Sequence, residues 1–275
     1  WTLPANLAIC LHPNFHYLAV EIEGEVYVVA EELLSKLILE WDIKKHKVLG
    51  SCLGKKLEEV ICRHPFIDRD SRVVLGEHVT LEQGTGCVHT APGHGQEDYI
   101  VGQKYNLETY NPVDDGGVFK PEVSDFGGLF VRKANPLIVE KLRDSGYLVH
   151  DNKVNHSYPH CWRCHQPIIF RATSQWFISM DTNGLRDKAL KAIREIEWIP
   201  RWGEDRIFNM VENRPDWCIS RQRAWGVPIT LFNCVSCNEM LRSPKVFSHI
   251  VDLVKKNGAD FWFEKDSIEL LPEGT

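Results

Sequence analysis

The sequence has no long apolar run and no excess of positive charge. No hydrophobic stretch approaches the length of a membrane span, and no basic segment followed by an apolar one is typical of a signal peptide. Lysine and arginine number 32 against 38 aspartate and glutamate residues, a formal charge of −6. This sign argues against a free-standing nucleic-acid-binding protein, although a site for one end of an RNA is compatible with it. We expect no membrane partner.

Internal repeats, low-complexity segments and nucleotide-binding fingerprints are also absent. The 275 residues, 43% hydrophobic and 25% charged, predict a globular chain of two domains or of one domain with a large insertion. Nine cysteines are an odd number in a chain that needs no disulfides to form a core, which indicates a reducing compartment. Because the chain begins with Trp1, we expect it to be a piece of a longer polypeptide.

Strand and helix patterns alternate along the chain, which predicts α/β organisation. Two β-rich runs flank Glu23-Gly24 and predict a hairpin over residues 17–30, followed by a helix over 31–40. Cap signals and periodicity predict the remaining elements, which are strands at 72–75, 86–90, 168–171 and 176–180 and helices at 135–146, 185–196 and 243–258.

Two segments are predicted to lack regular structure. The lysine-rich segment 44–56 is expected to be a solvated loop, with contact to a phosphate backbone as the alternative. Segment 111–128 is rich in glycine, proline and aspartate, which predicts an irregular and exposed connection. The character of the sequence changes near residue 155, where we place a domain boundary.

The densest cluster of reactive side chains is GTGCVHTAPGHGQEDY, residues 84–99. Its glycines let a backbone approach a ligand closely and expose amide groups. We expect a strand ending at His89 or Thr90, a glycine-rich turn, and a helix whose first turn contains Glu97 and Asp98. A purely structural alternative stays open, in which the acids complement the helix dipole and the histidines bond to nearby backbone.

Two Cys-x-x-Cys pairs, Cys161/Cys164 and Cys234/Cys237, have the spacing with which one turn binds zinc through two thiolates. Redox chemistry is disfavoured, since neither pair opens a helix in a thioredoxin-like setting. The 69 residues between the pairs are too many for a compact ribbon, so the two need not share a metal. The other cysteines are expected to be buried small hydrophobic residues, at positions 10, 52, 62, 87 and 218.

Arginine and tryptophan are concentrated in RPDWCISRQRAWGVP, residues 214–228. This composition is typical of an interface, or of side chains that stack and contact phosphate. A rigid turn with internally bonded arginines is the alternative.

Together these segments resemble the isoleucyl-tRNA synthetases, over essentially the whole chain. WTLPAN at 1–6 is similar to the end of the threonine-rich peptide of the inserted editing domain, connective polypeptide 1. HTAPGHGQEDY at 89–99 is similar to the second motif of that domain. NRPDWCISRQRAWGVP at 213–228 resembles the segment where bacterial and organellar enzymes return to the nucleotide-binding core.

The resemblance implies an α/β fold in three parts. A β-rich editing domain, a mixed sheet or barrel with helices, would span 1–155. A returning segment of a partial α/β nucleotide-binding core would follow over 156–233, and a cysteine-pair and helix segment over 234–275. The HIGH and KMSKS signatures are absent from the sequence. ATP and Mg²⁺ are therefore implied only for the full-length enzyme, and aminoacylation is not expected of this chain alone.

The resemblance also implies a reaction and partners. The site would hydrolyse valine misattached to tRNA(Ile), or its adenylate, and would bind the tRNA 3′ end carrying valine. The rest of the synthetase chain would be the other partner, in a monomer. The implied compartment is the cytoplasm, or an organellar matrix for an organellar form.

Individual roles follow from the same resemblance. Asp98 would bind the α-ammonium group of the amino acid, and His89 would border its side-chain pocket. Thr2 and Asn6 would contact the terminal adenosine or orient the attacking water. Further substrate-binding residues are implied at Trp1, Gly84, Thr85, Gly86, Thr90, Ala91 and His94. Cys161/Cys164 and Cys234/Cys237 would be halves of two zinc knuckles.

Two other functions stay open at this point. The chain could be a zinc-stabilised, tRNA-docking module without catalysis. It could also be a metal-dependent hydrolase that uses His89, His94 and Asp98 as ligands.

Overall fold

The chain forms two compact units, Trp1–Thr173 and Ser174–Thr275, in a computed structural model that describes residues 1–221 and 227–274. Both units mix helices with short strands, as α/β organisation predicts. Within the described ranges no helix is long and apolar enough to cross a membrane.

The first unit contains a four-stranded sheet in the order β5-β6-β1-β7. Its strands are β1 (Ala8–Leu11), β5 (Ile61–Arg63), β6 (Asp70–Leu75) and β7 (Val88–Thr90). The central strand β1 runs parallel to β6 and antiparallel to β7. The residues just before β1 therefore lie beside the end of β7.

The second sheet has the order β3-β2-β4, in which β4 spans His46–Leu53. The predicted hairpin is confirmed by β2 (His16–Ile22) and β3 (Glu25–Ala30). Its two turn residues both have positive φ, 52° at Glu23 and 92° at Gly24, as a type I′ turn requires. The predicted helix follows as a short 3₁₀ turn and α1 (Leu34–Glu40).

The lysine-rich segment is not a loop, so that prediction is wrong. It forms β4 (His46–Leu53), an exposed edge strand paired with β2. The backbone groups of β2 need partners on both sides, and this requirement outweighs the polar composition of the segment.

Segment 111–128 is irregular, as predicted, but it is only partly exposed, because buried apolar residues alternate with exposed polar ones. Val113, Phe119, Val123 and Phe126 are 0–5% exposed and form a second apolar core with Val131. The glycines and prolines shape the backbone, and the apolar residues between them supply the burial.

Helix α3 (Val131–Asp144) begins four residues before the predicted cap, and Pro136 lies inside it. Val131, Ala134 and Ile138 are its buried residues and pack in the second apolar core. This packing outweighs the hydrogen bond that proline cannot donate to the carbonyl of Arg132. The predicted stop is confirmed by the positive φ of 74° at Gly146.

The first unit extends past the predicted boundary near residue 155. The amide of Ala172 donates to the Gly93 carbonyl at 2.7 Å, and the Ala172 carbonyl accepts from Asn111 at 2.8 Å. These bonds attach the returning chain to the first unit. No strand forms at 168–171, where one was predicted. The functional boundaries 1–155, 156–233 and 234–275 stay a prediction.

The second unit contains a two-stranded sheet of β8 (Phe177–Ile178) and β9 (Trp217–Cys218). Its helices are α4 (Leu185–Glu195), α5 (Gly203–Glu212) and α6 (Pro244–Asn257). The predicted helices over 185–196 and 243–258 are confirmed, whereas the strand predicted over 176–180 is only two residues long.

Candidate functional site

The glycine-rich segment has the predicted strand, turn and helix order. Strand β7 ends at Thr90, and α2 (Gln96–Lys104) begins directly after Gly95. A Cβ atom at Gly93 would lie 2.2 Å from the carbonyl oxygen of Tyr110, so the turn requires glycine there. The turn is thereby fixed against the chain at 110–111.

His89 lies between two of the other predicted site residues. Its Nε2 atom is 2.9 Å from the hydroxyl of Thr2, and its Nδ1 atom is 2.9 Å from the amide nitrogen of Asn6. Strand pairing places them together, since Ile9 of β1 is opposite His89 of β7. Three of the four predicted catalytic residues thus form one hydrogen-bonded set.

Asn6 is buried and bonded at both ends of its amide. Its nitrogen also donates to the Ala8 carbonyl at 2.9 Å, and its oxygen accepts from the Ser71 hydroxyl at 2.6 Å. Both amide hydrogens are therefore used within the protein, which leaves none for the adenosine contact implied by resemblance. Sequence reasoning missed Ser71, because a lone serine in β6 gives no signal of its register beside β1.

Burial lowers the pKa of His89 to about 4, so its ring is neutral at pH 7. A neutral ring with both nitrogens bonded is poorly suited to take a proton from water. His89 is thus better placed to hold Thr2 than to act as a general base.

His94 differs from His89 because one ring nitrogen has no partner. Nδ1 lies 3.0 Å from the Phe170 carbonyl, so it must be the protonated nitrogen, and Nε2 has a lone pair. Nε2 is buried and finds no hydrogen-bond partner among the described residues. Burial lowers the pKa of His94, and the Trp1 ring packs edge-on against it at 4.9 Å. A buried acceptor is therefore available beside Trp1.

Asp98 closes the glycine-rich turn. Its Oδ2 atom accepts from the Ala91 amide at 2.8 Å, and burial raises its pKa. This bond supports the structural alternative for Asp98, while Oδ1 is left for a second contact. Thr90 and Ala91 are fully buried, so their side chains pack in the interior.

Gly84, Thr85 and Gly86 lie at a different place in the first unit. Thr85 accepts from the Ala30 amide, and Gly86 accepts from the Tyr17 hydroxyl. Gly84 and Thr85 line a cavity of about 1080 Å³ together with residues of β3, α1 and the segment 147–154. This volume is slightly above the range of about 300–1000 Å³ that is common for ligand pockets.

His89, His94 and Asp98 do not come together as a metal site. Within residues 1–221 and 227–274, no group of three or more His, Cys, Asp or Glu side chains could hold a metal ion. The arrangement of these three side chains therefore gives the metal-dependent hydrolase hypothesis no support.

The two cysteine pairs share one local structure. His165 donates its amide to the Cys161 carbonyl at 2.8 Å, and Asn238 donates to the Cys234 carbonyl at the same distance. Both donors have positive φ, 54° and 58°. Each pair therefore sits in a turn of the same shape.

The second pair also has a stabilised thiolate. A hydrogen bond from Ser236 is the largest cause that lowers the pKa of Cys234 to about 6. A turn that stabilises a thiolate fits a zinc ligand, but each turn supplies only two of the four ligands of a structural zinc. Of the other cysteines, Cys10 alone is buried, so the expectation is wrong for positions 52, 62, 87 and 218, which are partly exposed.

The arginine- and tryptophan-rich segment is described only in part. Arg221 donates to the carbonyls of Cys218 and Ser220, both at 2.9 Å, as the rigid-turn alternative predicts. Arg223 and Trp225 lie outside the described residues.

Comparison with known proteins decides the family. The family described as class I tRNA synthetases (I, L, M and V) matches residues 20–275. The chain belongs to this family. It is 56% identical over its whole length to the isoleucine–tRNA ligase of Syntrophotalea carbinolica and 55% identical to that of Geobacter sulfurreducens. The chain spans about 30% of the length of these relatives.

Among solved structures, the chain is similar to the one titled "The crystal structure of GlLeuRS-CP1". The TM-score is 0.44 at 14% identity, over 55% of this chain and 80% of that one. The editing domain of the Plasmodium falciparum cytosolic leucyl-tRNA synthetase gives a TM-score of 0.41 at 12% identity, over 53% of this chain and 75% of that one.

Proposed function

We propose that this chain hydrolyses the ester between valine and tRNA(Ile), as the editing part of an isoleucine–tRNA ligase. The observation that supports it most is the hydrogen-bonded set of Thr2, Asn6 and His89 next to the glycine-rich turn. The proposed partners are the tRNA 3′ end and the rest of the synthetase chain.

The size of the substrates explains the need for such a site. Isoleucine and valine differ by one methylene, a difference of about 1–3 kcal/mol in an apolar pocket, and this pair is the standard illustration of that limit. A single binding step therefore admits valine too often. A second site that hydrolyses the valyl ester and rejects isoleucine removes the error.

Asp98 and His94 have different roles in the proposed reaction. The free oxygen of Asp98 binds the α-ammonium group and fixes the ester carbonyl, while its other oxygen holds the turn at Ala91. His94 Nε2 has a lone pair for a hydrogen bond from the attacking water, and because this atom is buried, the site must open at Trp1 for the water to reach it. The ribose hydroxyl beside the ester is the alternative acceptor for the proton of that water.

The test is deacylation of tRNA(Ile) charged with valine or with isoleucine, by the 275-residue chain and by the full-length ligase that contains it. We expect hydrolysis of the valyl ester, little hydrolysis of the isoleucyl ester and no effect of a chelator. Equal rates on both esters, or no hydrolysis by either protein, would contradict the proposal. Loss of activity with chelator would favour a metal-dependent hydrolase.

A zinc-stabilised docking module is the second candidate, favoured by the two cysteine turns. A zinc ion would be held by Cys161 and Cys164, or by Cys234 and Cys237. In either case two further ligands would come from outside that cysteine pair. It would fix the local fold and leave the ester chemistry to other residues. Binding of tRNA without hydrolysis would favour this candidate.

A further inference from the structure

We propose that Ser71 is a positioning residue that holds Asn6 in place within a hydrogen-bond relay of fixed direction, Ser71 to Asn6 to His89 to Thr2. The relay presents the hydroxyl of Thr2 as a donor to an oxygen of the substrate. The inference rests on the proposed function for the identity of that substrate. The direction of the relay follows from the hydrogen-bond chemistry of the protein alone.

The direction is set first at Asn6. Its amide nitrogen lies 2.9 Å from the Ala8 carbonyl, which can only accept, so the nitrogen and not the oxygen faces that group. The oxygen then faces Ser71, which donates to it at 2.6 Å. Ser71 is 2% exposed and Asn6 is 5% exposed, so water does not compete for these bonds.

The tautomer of His89 follows from the orientation of Asn6. The second hydrogen of the Asn6 amide points at His89 Nδ1 over 2.9 Å, so Nδ1 is the acceptor nitrogen. With its pKa lowered to about 4 by burial, the ring has one proton at pH 7, and that proton is on Nε2. Nε2 therefore donates to the Thr2 oxygen at 2.9 Å.

The final step concerns Thr2, which is partly exposed. Its oxygen accepts from His89, so its own hydrogen points elsewhere. Within the described residues, no other hydrogen bond of this hydroxyl is seen. The hydroxyl is thus held as a donor at the open end of the relay, suited to an ester carbonyl or another substrate oxygen.

NMR spectroscopy of the 275-residue chain labelled with ¹⁵N-histidine measures the tautomer of His89 directly. At pH 7 we expect Nε2 of His89 to be the protonated nitrogen and Nδ1 to be the unprotonated one. A proton on Nδ1 would overturn the relay. This measurement needs no substrate, so it is independent of the proposed function.

Activity tests the two ends of the relay in the full-length ligase. Thr2→Val keeps the shape and removes the donor, and we expect about a tenfold loss of kcat for valyl-tRNA, with Thr2→Ser near wild type. Ser71→Ala should lose about threefold to tenfold in kcat, and Ser71→Thr should restore it. Ser51→Ala, an exposed serine of β4, is the matched control and should change nothing.

The outcomes separate this inference from the proposed function. If wild type hydrolyses valyl-tRNA and Thr2→Val does so at the same rate, the donor role is wrong. If Ser71→Ala keeps the rate and the tautomer, Ser71 is not a positioning residue. If wild type hydrolyses neither ester, the proposed function fails. The NMR spectrum of His89 still shows the direction of the relay in that case.

Discussion

His89 Nε2 lies 2.9 Å from the hydroxyl of Thr2, although 87 residues separate them in the chain. The antiparallel pairing of β1 with β7 brings them together. Because Asn6 occupies the other ring nitrogen, His89 is fixed on both sides. The ring is therefore a rigid support for Thr2.

Asp98→Ala should lower valyl-ester hydrolysis at least about tenfold, because a charged hydrogen bond is typically worth about 1.5–3 kcal/mol. The assay is deacylation by the full-length ligase, with melting temperature measured on the same samples. Esters with an acylated amino group should be poor substrates of the wild type.

Asp98→Asn is the matched variant, because it keeps an acceptor for the Ala91 amide and removes the charge. We expect it to melt close to wild type and to lose as much activity as Asp98→Ala. If Asp98→Asn hydrolyses the ester at the wild-type rate, Asp98 stabilises the fold and does not bind the α-ammonium group.

Acid should destabilise the protein through His89. Its pKa in the folded state is lowered from 6.5 to about 4, so between these values only the unfolded chain binds the proton. The free energy of unfolding should fall by about 1.4 kcal/mol per pH unit as pH drops from 6.5 towards 4, about 3 kcal/mol in all, and then level off. Urea unfolding at several pH values measures this change in the free energy of unfolding.

His89→Gln should flatten that pH dependence, since glutamine does not titrate. The control substitution is His46→Gln, at an exposed histidine of β4. Equal slopes for wild type and His89→Gln would show that the ring is not buried as described.

Gly93→Ala should destabilise the protein by about 1–3 kcal/mol, because the added Cβ would lie 2.2 Å from the Tyr110 carbonyl. Gly50→Ala is the control in β4, where nothing lies within 4 Å of the added atom. Urea unfolding should show Gly50→Ala equal to wild type or slightly more stable. An equal loss of stability in both variants would show that the turn at Gly93 does not lie against the Tyr110 carbonyl as described.

Zinc should bind the 275-residue chain weakly and below stoichiometry, since each cysteine turn supplies two of four ligands. Metal analysis after dialysis, with and without chelator, measures this. The variants Cys161→Ser and Cys234→Ser show which turn binds. One chelator-resistant zinc per chain that requires all four sulfurs would contradict the half-site hypothesis.

The sequence by itself determined the features that depend on near neighbours. The turn at Glu23-Gly24, the helix beginning after Ser243 and the order of strand, turn and helix around His89 all follow from local backbone preferences. The motifs also indicated the family, which the match over residues 20–275 confirms.

Only the tertiary structure decided which of the predicted residues meet. Thr2, Asn6 and His89 are joined through strand register, whereas Gly84 and Thr85, only a few residues before His89, line a separate cavity. Strand register also places Ser71 beside Asn6. Helix α3 begins at Val131 because this residue packs in the apolar core with Phe119 and Phe126. Register and burial depend on partners that are distant in the chain, and local preference contains no information about them.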